Sequence, residues 1–455
     1  MNGPKMREPW YLAGASTLLC ALALSGAAIW NGYPIVYSDT SSYIISGFEL
    51  ETLKDRPITY GLFIRVTSFN GWSLWTVVIA QSMLLAYVIG RSLKSIGSTN
   101  SMMRAAVIIL VSLLSGLPFV SGQIITDVFT PILLFTLYLL FFTSGDRRER
   151  ALLFALFLMS FAMHMSHIGI TALLLAGLLV LRHTVRRTVP FAARWRTFGS
   201  VVLLAVIGSL AMGPSLAKSK HTFFAARMAD AGILQRYLDE HCGEENFVLC
   251  ARKGSIPQDA NAFLWDKNSP LNLYKDHHEQ EEELAHIARS SFAEPALLRM
   301  HMKAAGVSIG RQFIRFNVGD GNGAFGEGTA LHERITRFIP SEVQQFDAAR
   351  QMDDARFWAP LVNANHLYNV VMVIALLALL AQLAIGLRGS HIQGITPLVV
   401  FLLAGLVVNV CVNAGLVMTA DRFGTKTAWL IPYCALVLAL RQQLTSRRKS
   451  NEPAP

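Results

Sequence analysis

The sequence predicts an all-α polytopic membrane protein. It expects about ten transmembrane helices, both termini cytoplasmic, and one large, mainly helical periplasmic domain between the seventh and eighth spans. Three observations carry this reading. Of 455 residues, 53% are hydrophobic and 15% are charged, where a soluble globular protein averages about 25% charged. Apolar runs approaching the roughly 20 residues of a helical crossing recur along the chain. Basic residues are also unevenly placed: residues 214–360 hold 17 Lys/Arg against 20 Asp/Glu, and the remainder holds 23 against 10. Cytoplasmic loops collect Lys and Arg, so the net charge of +10 reads as topology, and nothing in the chain matches a nucleic-acid-binding motif.

The first span, 11–30, follows Lys5 and Arg7 and is longer than the roughly 7–15 residues of a signal-peptide core; it reads as an uncleaved span with its far end outside. Span two (73–90) returns to Arg91, Lys94 and Arg104; span three (105–121) leads out to "SGQIITD"; span four (125–142) comes back to "DRRER" at 146–150. Residues 151–181 are almost wholly apolar and flanked by Arg147, Arg148 and Arg150 on one side and Arg182, Arg186 and Arg187 on the other. A single helix would carry one cluster across the membrane against the charge rule. Two short helices with their tip at "MHMSHIG" keep both clusters inside. Span seven (198–213) ends at Gly213-Pro214, and spans eight (366–387), nine (395–416) and ten (427–440) follow the polar region, before a basic tail. The organisation expected is a membrane module over 1–213 including the hairpin 151–181, a periplasmic domain over 214–360, and a second membrane module with a cytoplasmic tail over 361–455.

Cys20, Cys411 and Cys434 fall in spans, whereas Cys242 and Cys250 lie in the polar region. In an oxidising compartment that pair is positioned to form a disulfide. "VGDGNGAFGEG" (318–328) is rich in glycine but lacks the Lys-Ser/Thr of a phosphate-binding P-loop. Trp72, Trp75 and Trp429 sit near span ends, where interfacial Trp belts occur.

With this topology Asp39, Arg56, Asp127, His164, His167 and Arg422 all reach the outer face. Each also has a plain structural use. Asp39 and Asp127 suit helix N-caps, the two His residues suit packing between helices, and Arg422 suits an interfacial anchor. Their gathering on one surface favours function, because ionisable groups at or within a bilayer are costly and usually mark a site.

The pattern resembles the GT-C superfamily of integral-membrane glycosyltransferases. The residues that carry the resemblance are the acid after the first span ("YSDTSSYI"), the Arg-Pro-x-x-Tyr segment ("DRPITYGLF"), the second acid ("QIITDVF"), the His-bearing hairpin and, more weakly, "DRFGTKTAWLIP". The chain departs from better-known members in having no paired acidic motif. The resemblance implies a polyprenyl-phosphate-linked sugar donor, an envelope glycan or lipid acceptor, and a multi-pass protein of the bacterial inner membrane working on the periplasmic side. It implies two catalytic carboxylates, Asp39 as the base and Asp127 positioning the acceptor or a metal, with Arg56 and Arg422 on the donor phosphate and Tyr43, Tyr60, His164 and His167 lining the pocket. A divalent cation, Mg or Mn, is left open, and no nucleotide is expected. A polysaccharide polymerase or ligase using lipid-linked donors, a non-catalytic membrane component and a transporter of envelope polysaccharide are the alternatives.

Overall fold

A computed structural model of the protein describes residues 10–53, 55–98, 100–184, 195–388 and 397–450; Lys5, Arg7, Arg186 and Arg187 lie outside them. The fold is all-helical, with no strand among the described residues beyond one parallel bridge, Ile35–Gln123. Among the described residues six helices are long and apolar enough to cross a membrane, the longest of them Asp354–Ile385. Three shorter apolar helices, Gly14–Leu24, Ser101–Leu114 and Thr126–Phe142, lie among them. Helices of this length and composition suggest a membrane protein, and they pack as a bundle.

Side-chain contacts define the two ends of the bundle. At one end Ser95 meets the Tyr138 hydroxyl at 3.0 Å, Ser92 meets Tyr433 at 2.9 Å, and Arg91 pairs with Glu149. This is the end that carries the arginines of 147–150. The apolar segment after them forms two helices, Arg147–Ala162 and Ser166–Thr184. Arg150 donates to Thr197 Oγ1 at 2.8 Å, and Arg182 lies 4.5 Å over the Trp195 ring. The start of the first helix and the end of the second therefore meet at one place, and the break between them points to the opposite end. There His167 bonds Thr130, at 2.9 Å.

Two helices run further than the apolar pattern suggests. Trp195–Asp230 continues through Gly213 and Pro214 for 36 residues, and Asp354–Arg388 runs for 35 residues with Pro360 inside it. Proline removes one helical hydrogen bond and crowds the preceding turn, which disfavours but does not forbid helix. Trp429 also differs from an interfacial anchor: it is 1% exposed, stacks 6.0 Å from Phe135 and donates its indole N–H to the Lys426 carbonyl at 3.1 Å.

The polar region divides by its packing. Residues 225–297 have their own core, including Leu234, Tyr237, Phe263, Leu284 and Ile287, each of which contributes about 1.5–3 kcal/mol on burial. Cys242 and Cys250 are disulfide-bonded beside it, with Cα atoms 5.6 Å apart. Leu331, Ile335, Ile339 and Phe346 instead join the core of the membrane bundle. Two buried side chains fasten this later stretch to the segment after the first helices. Glu342 accepts hydrogen bonds from the Tyr33 hydroxyl (2.9 Å) and the Leu74 amide (3.1 Å). The Gln351 amide group donates to the Val36 carbonyl (2.7 Å) and accepts from the Val36 N–H (3.0 Å), as a neighbouring strand would. The chain from Tyr33 to Tyr37 is thereby held extended just ahead of Asp39.

Candidate functional site

The helix Ser38–Glu49 starts where Tyr37 is extended (φ −127°, ψ 162°) and donates its N–H to Thr40 Oγ1 at 2.9 Å. Thr40 thus does the capping, and Asp39 in the first turn is left for other partners. The next helix, Thr59–Thr67, crosses so closely that a Cβ on Gly47 would lie 2.1 Å from the Gly61 carbonyl oxygen. That crossing brings Arg56, just before the second helix, to Asp39: Nη1 is 2.9 Å from Oδ1, an ion pair without hydrogen-bond alignment. Asp55 pairs with the same guanidinium at 2.5 Å.

Asp127 lies in the 3₁₀ turn Thr126–Val128. Its segment is tied to the one bearing Asp39, because the Ile124 N–H donates to the Ile35 carbonyl at 2.8 Å and the Ile35 N–H to the Gly122 carbonyl at 3.1 Å. The third contributor is the helix Asp421–Ala428, anchored by Asp421, which pairs with Arg315 at 3.2 Å and accepts the Asn317 N–H at 3.1 Å. Arg422 and Lys426 stand four residues apart on it, and that spacing places them on one face.

Arg422 joins the acids. Its Nη1 is 3.3 Å from Asp39 Oδ2 and its Nε 3.3 Å from Asp127 Oδ2. Lys426 Nζ, on a side chain 0% exposed, is 3.9 Å from Oδ1 of Asp127, itself 4% exposed. Neither of these last two atoms has a hydrogen-bond partner. Burial acts against the charge on Asp39, but the Arg56 and Arg422 guanidiniums outweigh it and hold its carboxyl below the usual range.

A narrow cleft opens onto this group, lined by Gln123, Asp127, Asp320, Asn322, Arg422 and Lys426 among others. Asp320 Oδ2 accepts the Arg422 N–H at 3.1 Å, and Gln123 donates to Asn322 at 2.7 Å. Tyr37 lies under Arg422, 4.6 Å from ring centre to guanidinium carbon. Gly321 lies against that ring: at φ +72° a Cβ there would stand 1.9 Å from a Tyr37 carbon.

Of the residues expected at a site, Asp39, Arg56, Asp127 and Arg422 form one contiguous network. Neither carboxylate serves as a helix cap. Tyr43 sits beneath Arg56 at 5.4 Å with its hydroxyl 3.5 Å from Thr126 Oγ1, and Tyr60 bonds Gln81 at 3.1 Å; both stand behind the cleft. His167 uses both ring nitrogens, on Thr130 Oγ1 (2.9 Å) and on the Ser160 carbonyl (2.7 Å), while His164 Nδ1 accepts from Ser166. The two histidines pack the hairpin tip. Sequence reasoning missed Lys426, Asp320, Tyr37 and Asn322. For Lys426 the signal was its four-residue spacing from Arg422; for Tyr37 and Asn322 there was none beyond proximity to glycine and acid.

No group of three or more His, Cys, Asp or Glu side chains placed to hold a metal ion occurs among the described residues. Compared with protein-family models, curated proteins and solved structures, the chain matches none.

Proposed function

We propose that the protein is a membrane glycosyltransferase that moves a sugar from a polyprenyl-phosphate carrier to an envelope glycan or lipid acceptor, at the end of the bundle away from the basic clusters. One observation carries the reading: a carboxylate oxygen, Asp127 Oδ1, and an ammonium, Lys426 Nζ, are buried together 3.9 Å apart beside a cleft, neither of them hydrogen-bonded. A transfer of this kind needs both. The carboxylate takes the proton of the acceptor hydroxyl as its oxygen bonds the anomeric carbon. The bond from that carbon to the phosphate oxygen breaks, and the electron pair leaves with the lipid phosphate, whose charge needs a cation.

The geometry favours the reverse of the roles expected from the sequence, in which Asp39 is the base and Asp127 the positioning acid. Both oxygens of Asp39 face guanidiniums, so Asp39 is the positioning residue that orients Arg422. Asp127 keeps one oxygen, Oδ1, without a hydrogen bond and is the base. Arg56 is taken up by Asp39 and Asp55, and Lys426 with Arg422 faces the leaving phosphate. The disulfide-bonded domain over 225–297 is consistent with a non-cytosolic outer face.

The test is transfer of labelled sugar from polyprenyl-phosphate donors in membranes containing wild-type or Asp127→Asn protein at equal amounts. General-base catalysis is worth about 100- to 10,000-fold, and a loss of that order is expected. Full transfer by the variant would instead support a non-catalytic membrane component. Product length on a gel separates addition of one sugar from polymerisation.

A further inference from the structure

We propose that Arg422, which touches both Asp39 and Asp127, and Lys426, beside Asp127, are fixed cations standing where a divalent metal would bind these acids, so that this site works with protein cations and takes no metal ion. The chemistry rests on the transferase reading; the metal claim stands on the geometry. A bound Mg or Mn ion needs open carboxylate oxygens at about 2.0–2.2 Å in a near-octahedral oxygen shell. Here all four carboxylate oxygens already face nitrogen cations. Asp39 Oδ1 faces Arg56 at 2.9 Å and Oδ2 faces Arg422 at 3.3 Å; Asp127 Oδ2 faces Arg422 at 3.3 Å and Oδ1 faces Lys426 at 3.9 Å. The remaining nearby acids are engaged as well, Asp55 with Arg56 and Asp320 with the Arg422 amide. A dication would join three positive side chains at close range in a poorly solvated place, and like charges there repel strongly.

Lys426 is the informative member. Its side chain is 0% exposed and its ammonium makes no hydrogen bond. A buried ammonium held only by an ion pair at 3.9 Å and the Phe423 ring at 5.3 Å, with no hydrogen bond, is costly. Lys426 lines the cleft, and its unused N–H donors are what an anionic substrate group there would meet as it would meet a metal.

The experiment is Mn2+ binding to the purified full-length protein in detergent, followed by the loss of the free-ion electron paramagnetic resonance signal. Wild type should leave the signal unchanged through about 1 mM Mn2+. Arg422→Ala with Lys426→Ala, which removes the cations facing Asp39 Oδ2 and both oxygens of Asp127, should capture close to one ion per chain. Arg422→Lys, which keeps the bridging charge, should capture none. Stoichiometric binding by wild type that disappears in Asp127→Asn overturns the proposal without touching the transferase reading, and so does a folded Arg422→Ala, Lys426→Ala protein that binds nothing. Where transfer activity is present it should survive excess EDTA; loss of activity that added Mg2+ or Mn2+ restores also overturns it.

Discussion

Arg422 reaches Asp39 with one nitrogen and Asp127 with another, across a sequence separation of 383 residues from the first of them. It joins the helix Ser38–Glu49 and the turn at Asp127 to the helix Asp421–Ala428. Removing one partner of a buried ion pair costs about 3–5 kcal/mol, because the others are left uncompensated. Arg422→Ala should therefore lower thermal stability in detergent by several degrees and abolish transfer. Arg422→Lys, which keeps charge but not the planar fork, should recover stability more than activity.

Gly321 is set against Tyr37 with no room for a methyl group. Left-handed backbone costs an ordinary residue about 1–2 kcal/mol, and the clash with the ring adds to it. Gly321→Ala should lower the melting temperature and displace Tyr37 from Arg422. Combining it with Tyr37→Ala should return part of the lost stability, which a melting curve of the double variant checks.

The Cys242–Cys250 bond closes a nine-residue loop, and cross-linking a loop of that size stabilises by about 2–3 kcal/mol. Cys242→Ser with Cys250→Ser should soften the 225–297 core while leaving the membrane bundle folded. Protein taken from cells under alkylating quench should show these two thiols protected from maleimide until reductant is added. Free thiols in that experiment would remove the support the disulfide gives to an outer location.

His301 is buried, stacked 4.4 Å from Phe292, with Nε2 2.9 Å from Ser291 Oγ. Burial, then the nearby Arg227, pull its pKa from 6.5 down to about 4. The folded state thus favours the neutral ring. The stability this gives is present in full above pH 6.5 and is lost as pH falls from there towards 4, by up to about 3 kcal/mol. Melting of the protein at pH 7.5 and pH 5 should show the loss, and His301→Phe should shrink it.

The apolar runs, the basic clusters and the break at "MHMSHIG" were legible, because lipid demands length and charge obeys sidedness. So was the arrival of Asp39, Arg56, Asp127 and Arg422 at one end of the bundle. Their partners were not. Whether Asp39 caps its helix or pairs with arginine depends on Thr40, which offers the same chemistry one residue later. Lys426 in an apolar run reads as a boundary marker until Asp127, 299 positions earlier, is placed opposite it. The continuation of Trp195–Asp230 through Pro214 was hidden for another reason: a proline signals a stop, and the packing beyond it outweighs that signal.

Those two long helices have a mechanical consequence. At about 1.5 Å per residue, 36 and 35 residues extend some 50 Å, well beyond the roughly 30 Å of hydrocarbon. Each is one unbroken helix longer than a hydrocarbon crossing needs. A rotation at one end of such a rod is carried to the other without a hinge, so a change in the thickness of the surrounding lipid should be felt at both ends of these helices.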